Sequence, residues 1–216
     1  MVENVSSGFP LPEVFAEFAS FYPEKPAEIP EAVLPEVREK APAMEIQATL
    51  IREEFLNMEQ LQFENWIQLS LEERCAALQQ LEQCVAQISH RDAMPVLAGQ
   101  LQGRCAGHCN GQELVVSRKY VMDNSYWSYC TMLETFFHEG RHGYQFYNLN
   151  GNRVEANEAL VESWENNLVL DKYRSVRFDF KEWGFRRYQE QPIEVDARVF
   201  ARTVMDSLEL TPYSRG

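Results

Sequence analysis

Basic residues are scarce in this 216-residue chain: 20 lysines and arginines stand against 33 aspartates and glutamates, a formal net charge of −13. Counterion release on nucleic acid and attraction to an anionic membrane surface both need a basic patch, so neither partner is expected. Long hydrophobic runs are also missing, and no window approaches the roughly 18 uncharged apolar residues of a membrane span. The opening "MVENVSSGFPLPEVFAEF" has neither the basic stretch nor the unbroken apolar segment of a secretion signal, which leads us to expect a cytoplasmic protein. Export without a signal would leave no mark of this kind. Five cysteines (Cys75, Cys84, Cys105, Cys109 and Cys130) are an odd number in a chain too long to be a disulfide scaffold, and they fit a reducing compartment. No repeat of fixed period is present.

After residue 42 only three prolines remain, because seven of the ten (Pro10, Pro12, Pro23, Pro26, Pro30, Pro35 and Pro42) fall at the start. Each fixes φ and removes a backbone donor, so residues 1–43 read as a Pro-rich arm without long helices. Its aromatics (Phe9, Phe15, Phe18, Phe21 and Tyr22) give it the composition of a segment that packs on a surface. Residues 44–216, in a chain that is 45% hydrophobic, are enough for one domain with its own core.

Within that domain the helical pattern begins at Met44 and runs through "MEIQATLIREEFLNMEQLQFENWIQL". Ser70 followed by Glu73 is a capping box that starts a new helix, whose stripe is Leu71, Cys75, Leu78, Leu81, Val85 and Ile88. Glycines at 99, 103, 107 and 111 then change the character of the chain, and short strands are expected around 95–100 and 113–117. "MDNS" offers Asp123, Asn124 or Ser125 as the cap of a long helix ending near Asn148. A further helix is expected from about Val154 to Tyr173. The last begins at Pro192, with Ile193, Ala197, Phe200, Ala201, Val204 and Leu208 on one face. The fold class is therefore α+β and mainly helical.

The chain has only four histidines, and two of them belong to "FFHEGRH": His138, Glu139 and His142 make H-E-x-x-H. With background frequencies of about 2% His and 6% Glu, a chance match in a chain this long is on the order of half a percent. On a helix, side chains four apart share a face at about 5–6 Å between Cβ atoms, from which two imidazoles can converge on one Zn2+. Glu139 lies about 100° further round, where it flanks the ion without binding it and can act as general base on a water. A hydrolytic zinc site takes a third protein ligand and keeps one position open. No His or Cys follows His142, so a carboxylate is the simplest third ligand. Cys105, His108 and Cys109 in "CAGHC" are close in sequence but cramped and lack a fourth ligand, so a glycine-rich turn with buried thiols is expected there.

"FFHEGRH" with a later Glu-bearing helix resembles the zincin clan of metallopeptidases, in its compact glutamate-type form. "YQEQPIEVDARVFA" is similar to the second motif helix of small bacterial zincin domains, in which the Glu of E-x-x-A-x-x-F-A completes the metal site. The order of elements over residues 65–205 is also reminiscent of H-E-x-x-H domains in bacterial polymorphic toxins and mobile elements. The resemblance implies a zincin-like domain with a small β-sheet beside the H-E-x-x-H helix, one zinc per chain, and hydrolysis of a protein or peptide. It assigns His138 and His142 as ligands, Glu139 as base and Glu194 as third ligand. "ANEALVES" resembles instead the N-E-A helix of the thermolysin-like branch, which would make the ligand Glu158 by motif or Glu162 by spacing. Tyr188, Arg141 and Tyr144 are candidates to stabilise an oxyanion, and Glu134 is a candidate to orient the His138 ring. Two other readings remain: a zincin-fold module that binds a partner without catalysis, and an effector-type protease acting on a host or competitor protein.

Overall fold

The computed structural model describes residues 38–103, 105–168 and 182–210. Residues 1–37 of the arm, and the expected helix end near Tyr173, lie outside the described residues. Residues 38–43, read above as the end of the arm, belong with the rest of the domain. The Ala41 N–H donates to Val154 O at 2.8 Å, and Lys40 Nζ donates to Arg153 O and Glu155 O.

Side-chain caps set the starts of two of the long helices, at Ser70 and Ser125. The first helix of the chain, α1 (Met44–Asn57), stops at Met58, and the chain continues as a 3-10 turn (Glu59–Leu61) and a single turn α2 (Phe63–Trp66). The helical pattern expected to run to Leu69 is thus broken. Gln62 Nε2 adds a second bond to the carbonyl of Phe55 and Asn65 Nδ2 one to that of Glu59, while Met58, Leu61 and Trp66 turn into the core. The capping box forms as expected. Glu73 N donates to Ser70 Oγ at 3.3 Å and Ser70 N to Glu73 Oε2 at 2.8 Å, and α3 (Leu71–Ile88) starts there.

Three short strands follow: β1 (Val96–Gly99), β2 (Gly107–Cys109) and β3 (Leu114–Ser117). β3 is central, parallel to β1 with Val96 opposite Leu114, and antiparallel to β2 with His108 opposite Val115. β2 corrects the expectation of a turn with buried thiols at "CAGHC". Gly, His and Cys carry little strand preference, and pairing with the buried β3 decides the conformation. Cys105 is exposed and Cys109 only half-buried.

The helix α4 (Arg118–Met122) leads to α5 (Tyr126–Tyr147), capped by Ser125, whose side chain accepts from Ser128 N. Then come α6 (Glu158–Leu168), α7 (Glu182–Gln189) and α8 (Pro192–Ser207), the last with proline in its first turn. The domain is mainly helical α+β. Its main core joins α1, α3, β3, α5 and α8 through residues such as Ile51, Leu78, Leu114, Leu133, Phe136, Phe137 and Phe200. A second cluster (Ala41, Tyr144, Val154, Val161, Trp164, Leu168 and Ile193) seats α6 beside the end of α5 and the start of α8. Among the described residues, no helix is long and apolar enough to cross a membrane.

Candidate metal centre

The apolar residues of α5 fix how it presents its polar ones. Phe136 and Phe137 are buried in the main core, and Tyr144 in the second, so the helix cannot rotate without exposing three large rings. His138 and His142 then face the first turn of α8. Ala197 and Ala201, both buried, keep the facing side of α8 small, and Ile193 anchors its start, so the helix lies close enough for Glu194 to reach both histidines.

The three side chains converge. His138 Nε2 and His142 Nε2 are 3.1 Å apart, with the rings nearly perpendicular at 88°. Glu194 Oε2 lies 3.5 Å from His138 Nε2, and Glu194 Oε1 lies 3.6 Å from His142 Nε2. Zinc bonds of about 2.0–2.2 Å, spread tetrahedrally, put neighbouring ligand atoms roughly 3.3–3.6 Å apart. The two carboxylate contacts, made through different oxygens, fall within that range, and the histidine pair stands slightly closer. Two imidazole nitrogens and one carboxylate oxygen are also the donor set of an open zinc site, and these residues fit the ion. Among the described residues this is the group of His, Cys, Asp or Glu close enough to share a metal.

The electrostatics agree with a site built for positive charge. Burial works to lower the pKa of His142, but the hydrogen bond and charge of Glu194, with the charge of Glu139, outweigh it and lift the value to about 9. Burial works to raise Glu194, which is only 1% exposed, yet the bonds from His138 and His142 hold it well below the usual carboxylate range. A divalent cation can take over the role these protons play.

Glu139 is buried but stands outside the ligand trio. A Cβ added at Gly107 would lie 3.0 Å from Glu139 Cγ, so the side chain runs along β2 and flanks the histidine pair. Its charge acts on His142 from that side. Glu158 and Glu162 are exposed on α6, and neither joins the group. Glu134 is exposed and takes no part in the hydrogen bonds of His138. Tyr188 offers its carbonyl to Gln191, both to N and to Nε2 at 3.2 Å, which secures the bend before Pro192.

Arg141 is held in another role. Its guanidinium is buried beneath the rings of Tyr144, Trp164 and Phe200, and it grips Asp196 through Nε at 2.8 Å and Nη2 at 3.1 Å. Tyr144 donates to Glu155 Oε2 at 3.2 Å. In "CAGHC", the crowding of protein around its sulfur pushes the Cys109 thiol up to about 12, although the residue as a whole is only half-buried.

Two residues that carry no motif complete the surroundings. Gln145, three residues after His142 on the same helix face, has its Oε1 2.7 Å from His142 Nδ1. Asp196, two residues after Glu194, accepts from Gln145 Nε2 at 2.7 Å. The only sequence signals for them were helical spacing from a ligand and a polar residue on an otherwise apolar face. Comparison of the chain with family models, with curated proteins and with solved structures finds no match.

Proposed function

We propose that this domain is a zinc-dependent hydrolase with a zincin-like fold, a metallopeptidase of the glutamate-ligand kind that cleaves a protein or peptide. The observation that carries the reading is the triangle of His138 Nε2, His142 Nε2 and the Glu194 carboxylate, with Glu139 beside it and outside it. His138, His142 and Glu194 would hold the ion. A bound zinc supplies Lewis acidity, which brings the pKa of water at its open position down to about 7 and polarises a carbonyl.

The remaining steps belong to the chain. Glu139 accepts the proton of the attacking water on its carboxylate and returns it to the leaving amine nitrogen, a role worth about 10²–10⁴-fold in rate. Burial of Glu139 between α5 and β2 keeps bulk water from competing for that proton. An extended peptide is favoured as substrate because β2 is an edge strand. Among the described residues it pairs with β3 alone, and it runs past Glu139, where a peptide can add as a further strand through main-chain hydrogen bonds.

Metal analysis and a peptidase assay on matched variants test the proposal. Wild type should hold one zinc per chain. Glu139→Gln should keep the zinc and lose about 10²–10⁴-fold in hydrolysis. Glu194→Ala should lose the metal, whereas Glu158→Ala and Glu162→Ala should keep it. Wild-type protein that takes up no stoichiometric zinc, when purified without chelator and supplied with the ion, would sink the reading.

A further inference from the structure

We propose that Gln145 is the positioning residue of this metal centre, its single amide group fixing both the ligating nitrogen of His142 and the turn that carries Glu194. The inference rests on the metal-site reading above and adds to it a residue that no motif marks.

The argument is one of donor and acceptor accounting. A primary amide has two N–H donors and one acceptor oxygen, and Gln145 is fully buried, so each must find a partner inside the protein. Nε2 donates to Ile193 O at 3.0 Å and to Asp196 Oδ2 at 2.7 Å. Both partners can only accept. Asp196 already accepts a two-pronged grip from Arg141 on its two oxygens, at 2.8 and 3.1 Å. A flipped amide would set Oε1 against two oxygens, so only one orientation is open to it. Oε1 therefore faces His142 Nδ1 at 2.7 Å, and because it can only accept, Nδ1 must carry the proton. The lone pair left for a metal is on Nε2, the atom that lies 3.1 Å from His138 Nε2 and 3.6 Å from Glu194 Oε1.

The second bond of the amide acts on the other helix. Ile193 O belongs to the peptide unit that leads into Glu194, in the first turn of α8. Gln145 thus ties the backbone beside the third ligand to the helix bearing the first two. Two of the three ligands depend on one side chain, and the whole chain of contacts (Arg141, Asp196, Gln145, His142) is buried.

The test is Gln145→Met, close in shape but without the oxygen or the amide protons. Zn2+ affinity is measured by competition with a chromophoric chelator, and thermal unfolding of the metal-free protein is followed in parallel. The proposal expects a folded variant whose Zn2+ affinity is about 10–100-fold weaker than wild type. It also expects long-range 1H–15N spectra of zinc-loaded wild type to show His142 protonated at Nδ1. A purely packing role would lower the melting temperature and leave Zn2+ affinity within about twofold, and that result overturns the inference while the metal site stands. If the variant fails to fold, the wild-type spectrum decides, and a His142 lacking the Nδ1 proton overturns the inference. Wild type that binds no Zn2+ instead removes the metal-site reading on which it rests.

Discussion

Gly107→Ala is the most direct probe of how closely the sheet edge is set against the motif helix. Gly107 lies in β2 opposite Val116, and its φ is not positive, so an alanine meets no backbone strain and the whole cost is contact. The new Cβ would sit 2.5 Å from Thr135 Cγ2, 2.9 Å from Val115 O and 3.0 Å from Glu139 Cγ. None of these neighbours yields easily. Thr135 Oγ1 donates to Thr131 O at 2.7 Å, which holds its methyl in place, and Val115 O belongs to the central strand, paired on both sides. Overpacking of this kind costs about 1–3 kcal/mol, and at about 2–4 °C per kcal/mol for a chain of this size the melting temperature should fall by about 2–12 °C. The measurement is thermal unfolding in the presence of a chelator, so that metal linkage does not mask the change. Thr135→Ser, which removes the blocking methyl and keeps the hydroxyl, should restore part of the loss when combined with Gly107→Ala, because the contact with Val115 O persists. Gly143→Ala is a useful contrast. Its Cβ would also clash, at 2.2 Å, but with the mobile end of Met94, which can move aside. If Gly107→Ala melts within about 1 °C of wild type, β2 is not seated on α5 as described and the placement of Glu139 beside it fails.

Two further predictions follow from the charges. Arg141→Met removes one side of a buried ion pair and leaves Asp196 without its counter-charge, with only the Gln145 amide still donating to it, so urea unfolding should show a loss of about 3–5 kcal/mol. A loss below about 1 kcal/mol would show that the guanidinium is solvated rather than locked beneath its rings. In the metal-free protein, His142 holds its proton more tightly folded than unfolded. That stabilisation is complete below its ordinary value of 6.5 and disappears as pH rises through about 9. Glu194 holds its negative charge more tightly folded, so its contribution is complete above the ordinary 4.5 and is lost on acidification. The chelator-treated protein should accordingly melt higher near pH 5.5 than near pH 9, and a melting temperature at pH 9 equal to or above that at pH 5.5 refutes the coupling.

What the sequence made legible, and what it hid, divides by the range of the interaction involved. The starts of α3, α5 and α8 were readable because Ser70 with Glu73, Ser125 and Pro192 act on their own first turns. β2 was not, since nothing within Gly107–Cys109 favours a strand and its conformation is imposed by β3 and α5. The end of α1 was hidden for a related reason: the apolar spacing continues past Met58, and only the core reveals that Met58, Leu61 and Trp66 all point inward from a broken helix. The candidate site divides in the same way. H-E-x-x-H is a local geometry and was visible at once, whereas the choice of Glu194 over Glu158 or Glu162 depends on how α8 docks, for which the small residues Ala197 and Ala201 were the available hint.

The two unspecified positions of the motif carry the consequence furthest. Successive residues of a helix step about 100° around its axis, so residues 138–142 sweep every side of α5. His138 and His142 face α8, Glu139 lies along β2, Gly140 faces Leu114 and Arg91, and Arg141 turns beneath Trp164 and Phe200 to hold Asp196. Arg141, a candidate oxyanion donor on sequence grounds, already has its Nε and Nη2 committed to Asp196, and through Asp196 it supports the amide that orients His142. In this fold the arginine of H-E-G-R-H thus has a supporting place in the proposed metal site, holding Asp196 although it touches no candidate ligand atom.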